Sequence, residues 1–295
     1  MIVLITSLFC LAIGAALVIA PHLPAQEFAF VADLNDRYDI YTLDIQRGIT
    51  RNLTGNSDSS NNFWPTWSPD GRRMVYVAEH GGNSDLYVMD SNGQNRHRLT
   101  DDPGGEHQPN WSPDGRQIVF MGRQERGGKL YVISWDDAGE IGTPQQITRD
   151  DYDNAVPIWS PDGTYIAYVS VREGRYEIYI TEAAHPTRAK RFSANSWDAY
   201  TMAWSPDGTQ LALNTNARGN SEIIVLDIAT GASPRNLTNH QGDDDGPAWS
   251  TEGILFESDR GGSRNIYWMQ ADGSHVRRLT ALQFPDYAFS PAWRP

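Results

Sequence analysis

The pentapeptide Trp-Ser-Pro-Asp-Gly starts at Trp67, Trp111, Trp159 and Trp204, decays to Trp-Ser-Thr-Glu-Gly at Trp249, and is cut short as Trp-Arg-Pro at Trp293. These six tryptophans are separated by 44, 48, 45, 45 and 44 residues. A period of this length marks a repeat architecture whose unit is one supersecondary element, and such a unit cannot bury its apolar faces without neighbours. Six units of about 45 residues, the length of a propeller blade, use nearly all of the 295-residue chain, so no second globular domain is expected.

One unit, residues 63–100, shows what repeats. Phe-Trp-Pro-Thr-Trp is a short apolar run, and Ser-Pro-Asp-Gly is a turn in which proline presets φ and glycine supplies backbone freedom. Arg-Met-Val-Tyr-Val-Ala follows as a β-branched and aromatic run, then Asp-Leu-Tyr-Val-Met-Asp, the turn Ser-Asn-Gly, and a last segment ending Arg-Leu-Thr. That is four short strands joined by turn residues, with no helical period. The extra residues of the longest unit fall in the loop 134–146 and leave the strands untouched.

Closure can be counted. The repeats begin at Glu27 with strands two, three and four of a unit, and the chain ends at 289–295 with a first strand that lacks the other three. The expected fold is all-β: a six-bladed β-propeller of four-stranded antiparallel blades over 27–295, closed by the C-terminal strand joining the N-terminal blade. Joining the ends in one blade also removes the sheet edges that would template aggregation.

The Pro-x-Trp-Ser-Pro-Asp-Gly phrases, the Ile-Tyr or Leu-Tyr pairs on the third strands and the closing Leu-Thr resemble the TolB-like Pro-Asp β-propeller repeat family, over residues 27–295. The family's namesake is a periplasmic component of the Tol-Pal envelope system that docks protein partners, with an α/β domain ahead of its propeller. The resemblance implies a binding or scaffold role and covers only the propeller.

Residues 1–20 carry no charge, Pro21 ends the run, and a small-residue cleavage point follows at Ala25. Residues 1–26 are expected to be a signal peptide or a membrane anchor: the uncharged length suits a span, while a secretory signal normally has a basic start. Either places the propeller outside the cytoplasm, in the periplasm, on the cell surface or secreted. Cys10, the only cysteine, lies in this leader, which excludes a disulfide framework or a Cys-based zinc site in the repeats. With 24 basic against 37 acidic residues, the net charge of −13 argues against nucleic acid and anionic lipid as partners. Membrane contact is expected only through the N-terminal segment.

Antiparallel strands send the Ser-Pro-Asp-Gly turns and the third-to-fourth-strand turns to one face of the disc. The second-to-third-strand loops and the linkers between blades go to the other, and there the sequence varies most, as binding surfaces on a rigid scaffold do. Just before each inner strand lie Asn61 and Asn62, Glu106 and His107, Asp153 and Asn154, Asp198 and Tyr200, Asp243, Asp244 and Asp245, and Asp286. Symmetry brings these positions to the channel mouth, flanked by Trp64, Trp197 and Tyr287. Three readings stay open: strand-end caps paired with Arg123, Arg172, Arg218 and Arg260; a mouth for a protein partner or a small polar or cationic ligand; or a calcium site of hard oxygen ligands. No cofactor other than calcium is implied.

Evidence of catalysis is thin. The sequence has no Gly-x-Ser-x-Gly elbow, no His-Glu-x-x-His and no Gly-rich phosphate loop, and His107 and His240 fall on non-adjacent blades. Asp101–Asp102 and Asp150–Asp151 read as turn formers, and the repeat tryptophans as packing between blades. The expected function is an exported binding module that offers its linker face to a partner, with no catalytic residue assigned. A propeller hydrolase or lactonase with a calcium-bearing channel is the alternative.

Overall fold

Every intact Trp-Ser-Pro-Asp-Gly copy closes the same hydrogen-bonded turn. The serine Oγ donates to the aspartate Oδ1 at 2.6 Å in Ser68–Asp70, Ser112–Asp114, Ser160–Asp162 and Ser205–Asp207. The same Oδ1 accepts the N–H of Arg72, Arg116, Thr164 or Thr209 at 3.0 Å, and the serine Oγ accepts the next N–H at 2.9 Å. The serine bond holds each of these four carboxyls below the usual carboxylate range. The turn glycines sit at φ of 66° to 73°, which only glycine reaches cheaply. They also approach the preceding copy: a Cβ on Gly115 would lie 3.3 Å from Pro69, and one on Gly163 3.2 Å from Pro113. The repeated phrase thus builds one face of the disc as a chain of interlocked turns.

A computed structural model describes residues 26–34, 36–55, 60–124, 127–136, 141–172, 174–192, 198–216, 219–230 and 234–295. The leader expectation, Cys10, Trp197 and Arg218 lie outside the described residues. The described residues form six four-stranded antiparallel sheets and no helix. Blade 2 is representative, with strands Asn61–Trp67, Arg73–His80, Asn83–Asp90 and His97–Arg98. The other inner strands are Tyr287–Trp293 in blade 1, Glu106–Trp111 in blade 3, Asp153–Trp159 in blade 4, Ala199–Trp204 in blade 5 and Asp244–Ser250 in blade 6. Each packs beside the next, and the sixth returns to the first. The chain is a six-bladed β-propeller.

Blade 1 confirms the shared closure. Tyr287–Trp293 pairs antiparallel with Glu27–Asp33, placing Phe28 opposite Trp293 and Asp33 opposite Tyr287. Arg294 fastens the join: its Nη1 lies 2.5 Å from Glu27 Oε2, Nε and Nη2 donate to Gly71 O at 3.1 and 2.9 Å, and the guanidinium lies over the Trp67 ring.

Every inner strand carries a bulge, between Phe63 and Thr66, His107 and Asn110, Ala155 and Ile158, Ala199 and Met202, and Asp245 and Ala248, and opposite Ala29–Val31 in blade 1. In five blades a residue at positive φ precedes a proline there: Trp64, Gln108, Val156, Gly246 and Ser290. Such a conformation costs about 1–3 kcal/mol for a bulky residue. Its recurrence through the ring makes it a device of the repeat, which bends each inner strand past the channel, rather than a mark of function at any one position.

Apolar clusters fill the gaps between neighbouring blades, as between Val77, Leu86 and Val88 of blade 2 and Trp111, Ile118 and Phe120 of blade 3. Trp67, Trp111 and Trp204 are buried in such clusters, and Trp111 meets Trp135 edge-on at 6.1 Å. The packing role read from the sequence holds for these three, and Trp249 and Trp293 also pack, partly buried, against apolar clusters. Trp159, Trp249 and Trp293 are only half-buried, and together with Trp67 and Trp204 they line the turn-face end of the central channel, a space of about 360 Å³.

Candidate functional site on the linker face

The six inner strands align over four positions that begin at, or one residue before, the strand start: Asn61-Asn62-Phe63-Trp64, Gly105-Glu106-His107-Gln108, Asp153-Asn154-Ala155-Val156, Asp198-Ala199-Tyr200-Thr201, Asp243-Asp244-Asp245-Gly246 and Tyr287-Ala288-Phe289-Ser290. Successive side chains along a strand point to opposite faces, so residues adjacent in sequence have different fates here.

The first position caps the preceding blade. Asp153 Oδ1 accepts the Gly128 N–H at 2.6 Å, Asp198 Oδ1 the Tyr176 N–H at 2.9 Å, Asp243 Oδ1 the Ser221 N–H at 2.8 Å and Asn61 Oδ1 the Tyr38 N–H at 3.4 Å. Each accepted N–H lies at or beside the start of a third strand. These residues lock blade to blade.

The second position is buried. Asn62, Glu106, Asn154 and Asp244 are 0–3 % exposed, so the structure withdraws them from the mouth where the sequence placed them. Asn62 Nδ2 donates to Ser60 O, and Asn154 Nδ2 to Asp150 Oδ1 and Tyr152 O. Arg260 Nη2 reaches both Asp244 oxygens at 2.7 and 2.8 Å, and burial pushes the Asp244 carboxyl up against the pull of Ser258 and Arg260. The Leu-Thr threonine that ends a blade completes this layer. Thr100 Oγ1 accepts the Leu86 N–H at 2.9 Å and donates to Glu106 Oε2 at 2.5 Å, and Thr238 and Thr280 do the same for Glu222 and Asn265.

Burial pushes the Glu106 carboxyl up to about 7, with the Thr100 bond opposing and Asp85 and Asp102 adding to the shift. The folded protein therefore keeps a proton on Glu106 that the unfolded chain releases, and the cost of this site grows as pH rises from 4.5 to 7. Glu106→Gln should gain stability above that window relative to below it, by up to about 3 kcal/mol, in chemical denaturation at the two ends. An equal effect at both ends contradicts this account of Glu106.

The third position, with the bulge that follows it, faces the mouth, and here the ring is not acidic all round. Asp245 accepts from Asn214 Nδ2 at 2.7 Å and Ser221 Oγ at 2.5 Å, and pairs with Arg264 at 2.9 Å. Tyr200 OH lies 3.4 Å from Asp198 Oδ2 and accepts from Asn216 Nδ2 at 3.0 Å. His107 meets Trp64 edge-on at 5.4 Å, and burial, with the Arg123 charge, holds its imidazole low. Of the expected arginine partners, Arg172 pairs with Asp150 and Arg260 with Asp244, while Arg123 has no ion pair among the described residues. Also among the described residues, no group of three or more His, Cys, Asp or Glu side chains is arranged to hold a metal ion.

One sector differs. At the junction of blades 6, 1 and 2, a pocket of about 710 Å³ is lined by Tyr38, Phe63, Trp64, Phe284, Tyr287 and Phe289, with Asp286 at its wall. Tyr38 touches the rings of Phe63, Tyr287 and Phe289 at centroid distances of 5.0, 6.2 and 5.9 Å, and its hydroxyl shares a 2.7 Å hydrogen bond with that of Tyr287. Five of these aromatics are half-buried, and Phe284 is 88 % exposed. Trp64, Tyr287 and Asp286 were legible as mouth residues; Tyr38, Phe63, Phe284 and Phe289 were not. Aligning the third position across the six copies would have flagged Phe63 and Phe289, which closure makes neighbours.

This architecture defines a class, the β-propellers with closed Trp-Ser-Pro-Asp-Gly turns. The chain belongs to the TolB β-propeller family, whose model, described as the TolB beta propeller domain, matches residues 9–142 and 136–295. The Tol-Pal system protein TolB of Thioalkalivibrio sulfidiphilus (strain HL-EbGR7) is 51 % identical over 35 residues, which is 12 % of this chain and 8 % of that protein. The crystal structure of TolB from Acinetobacter baumannii superposes with a TM-score of 0.76 at 23 % identity, over 92 % of this chain and 67 % of that one. Putative TolB from Agrobacterium tumefaciens gives 0.71 at 19 % identity, over 92 % of this chain and all of the other. A puromycin hydrolase gives 0.62 at 16 % identity, over 84 % of this chain and 42 % of that one. At these identities the structural likenesses speak for the fold.

Proposed function

We propose that this chain is an exported binding module that presents its linker face to a protein partner or a small polar ligand, with the aromatic pocket of blades 6, 1 and 2 as the contact centre. The observation that carries this reading is the pocket itself. Half-exposed aromatic rings gathered in one concavity are costly to leave in water and are the common anchors of recognition sites. Elsewhere on the same rim the first-position carboxylates are spent capping neighbouring blades, and the opposite face is closed by its own turns. The uncharged leader supports an extracytoplasmic location, and a family that includes a Tol-Pal system protein supports docking as the task.

The test is positional. A photo-crosslinking side chain at position 284 of the full chain, in its native cells, should yield a discrete adduct, whereas one at position 92, in an exposed turn of the opposite face, should not. Adducts from position 92 alone would contradict the reading.

A further inference from the structure

The aromatic pocket carries a charge bias as well as an apolar wall. Glu257, Asp259 and Asp286 line it together with a single cation, Arg264. That cation is already committed, with Nη1 2.9 Å from Asp245 Oδ2 and 3.0 Å from Glu257 Oε2. Glu257 is spent in the same way, since its Oε1 accepts the Ser290 N–H at 2.8 Å. Asp259, whose Oδ1 accepts the Asp243 N–H at 2.9 Å, and Asp286 stand at the wall without an ion pair among the described residues, and the Asp33 carboxylate adds its field beside Tyr287. The hydrogen bond to Tyr38, with burial, holds the Tyr287 phenol above its ordinary range.

Three ligand classes fit this wall unequally. An anion meets uncompensated carboxylates. A compact inorganic cation needs converging oxygen ligands, and the described residues offer no such group. An organic cation with alkyl substituents is weakly hydrated, gains from the negative faces of aromatic rings, and buries its methyl groups against them.

We propose that this pocket binds an alkylammonium group of the trimethylammonium type, seated among Tyr38, Phe63, Phe284 and Tyr287 and balanced by Asp286 and Asp259. The inference rests on the linker-face reading and narrows it to one ligand chemistry. A volume of about 710 Å³ accommodates the head group and a substituent, within the usual range of small-molecule sites. The cation could arrive as a free metabolite or on a lipid head group, and the chemistry of the pocket is the same for both.

The test uses the full chain and three probes: choline, its neutral isostere 3,3-dimethylbutan-1-ol, and phosphatidylcholine vesicles. Calorimetry should show saturable choline binding and affinity for the alcohol weaker by about tenfold or more, the difference being the cation–ring and carboxylate attraction. Asp286→Asn should weaken choline and leave the alcohol unchanged. Phe284→Ala, at a position too exposed to disturb folding, should weaken choline several-fold. Asn92→Ala on the opposite face should change neither. Co-sedimentation with the vesicles that choline competes away assigns the lipid source, and choline binding without it assigns the free one. Equal affinity for choline and the alcohol overturns the proposal, as does the absence of saturable binding of either choline or vesicles up to about 10 mM choline, weaker than useful recognition requires. If both probes fail while crosslinking from position 284 persists, only this ligand assignment falls. Loss of the crosslink as well removes the linker-face reading.

Discussion

A chain truncated after Ala288 should fail to accumulate as a soluble monomer, although it loses only seven residues. The deleted segment supplies most of the inner strand of blade 1, pairing Phe289 with Val31 and Trp293 with Phe28, and it removes Arg294, which ties Glu27 to the turn at Gly71. Its loss bares the edge of Glu27–Asp33 and opens apolar clusters on both sides of the blade, those containing Trp293 and those containing Phe289 and Ala292. Exposed strand edges pair with other chains, and packing on this scale is comparable with the roughly 5–15 kcal/mol that holds a domain folded. Size-exclusion chromatography and thermal melting of the truncated chain read the outcome. A monomer that melts like the full chain would refute closure through the shared blade.

Trp111→Ala should cost about 3–5 kcal/mol, the usual range for deleting a buried tryptophan. For a chain of this size that is a fall in melting temperature of about 10 °C. Trp111 is 6 % exposed and packs between blades 2 and 3 with its ring edge-on to Trp135, so the void would lie where the ring of blades is joined. Trp249→Ala should cost less, because Trp249 is half-buried at the channel wall. Equal losses at the two positions, measured by differential scanning calorimetry, would contradict the difference in burial between them as the source of the effect.

The fold was legible because its information is local and repeated. Ser68, Asp70 and Gly71 build their turn from bonds within six residues, and the other intact copies do the same, so the sequence period reports the blade directly. The site was legible only as a region. Asp243, Asp244 and Asp245 read as one acidic patch, yet strand alternation gives them three tasks: a cap on Ser221, a buried partner for Arg260, and a node with Arg264 at the mouth. Glu106 likewise reads as a mouth carboxylate, and burial against Thr100 takes it out of the surface. The aromatic pocket was invisible because its parts come from distant segments. Tyr38 and Phe63 meet Tyr287 and Phe289 only after the chain ends join in blade 1, and no short motif encodes that meeting.

The division of labour between the two faces is the centre of this account, and paired substitutions test it most directly. Phe284→Ala with Asp286→Asn alters the linker-face pocket, and Asp70→Asn with Asp114→Asn alters the closed turns opposite. Retention of the crosslinked partner on each immobilised variant, measured beside its melting temperature, gives the comparison. The pocket variant should lose the partner and keep its melting temperature, because Phe284 is 88 % exposed and Asp286 bonds to Gln283 through its backbone N–H, which the substitution leaves in place. The turn variant should keep the partner and melt earlier, because each of its carboxyls accepts both a serine hydroxyl and a backbone N–H. Partner loss from the turn variant with full retention by the pocket variant would contradict it.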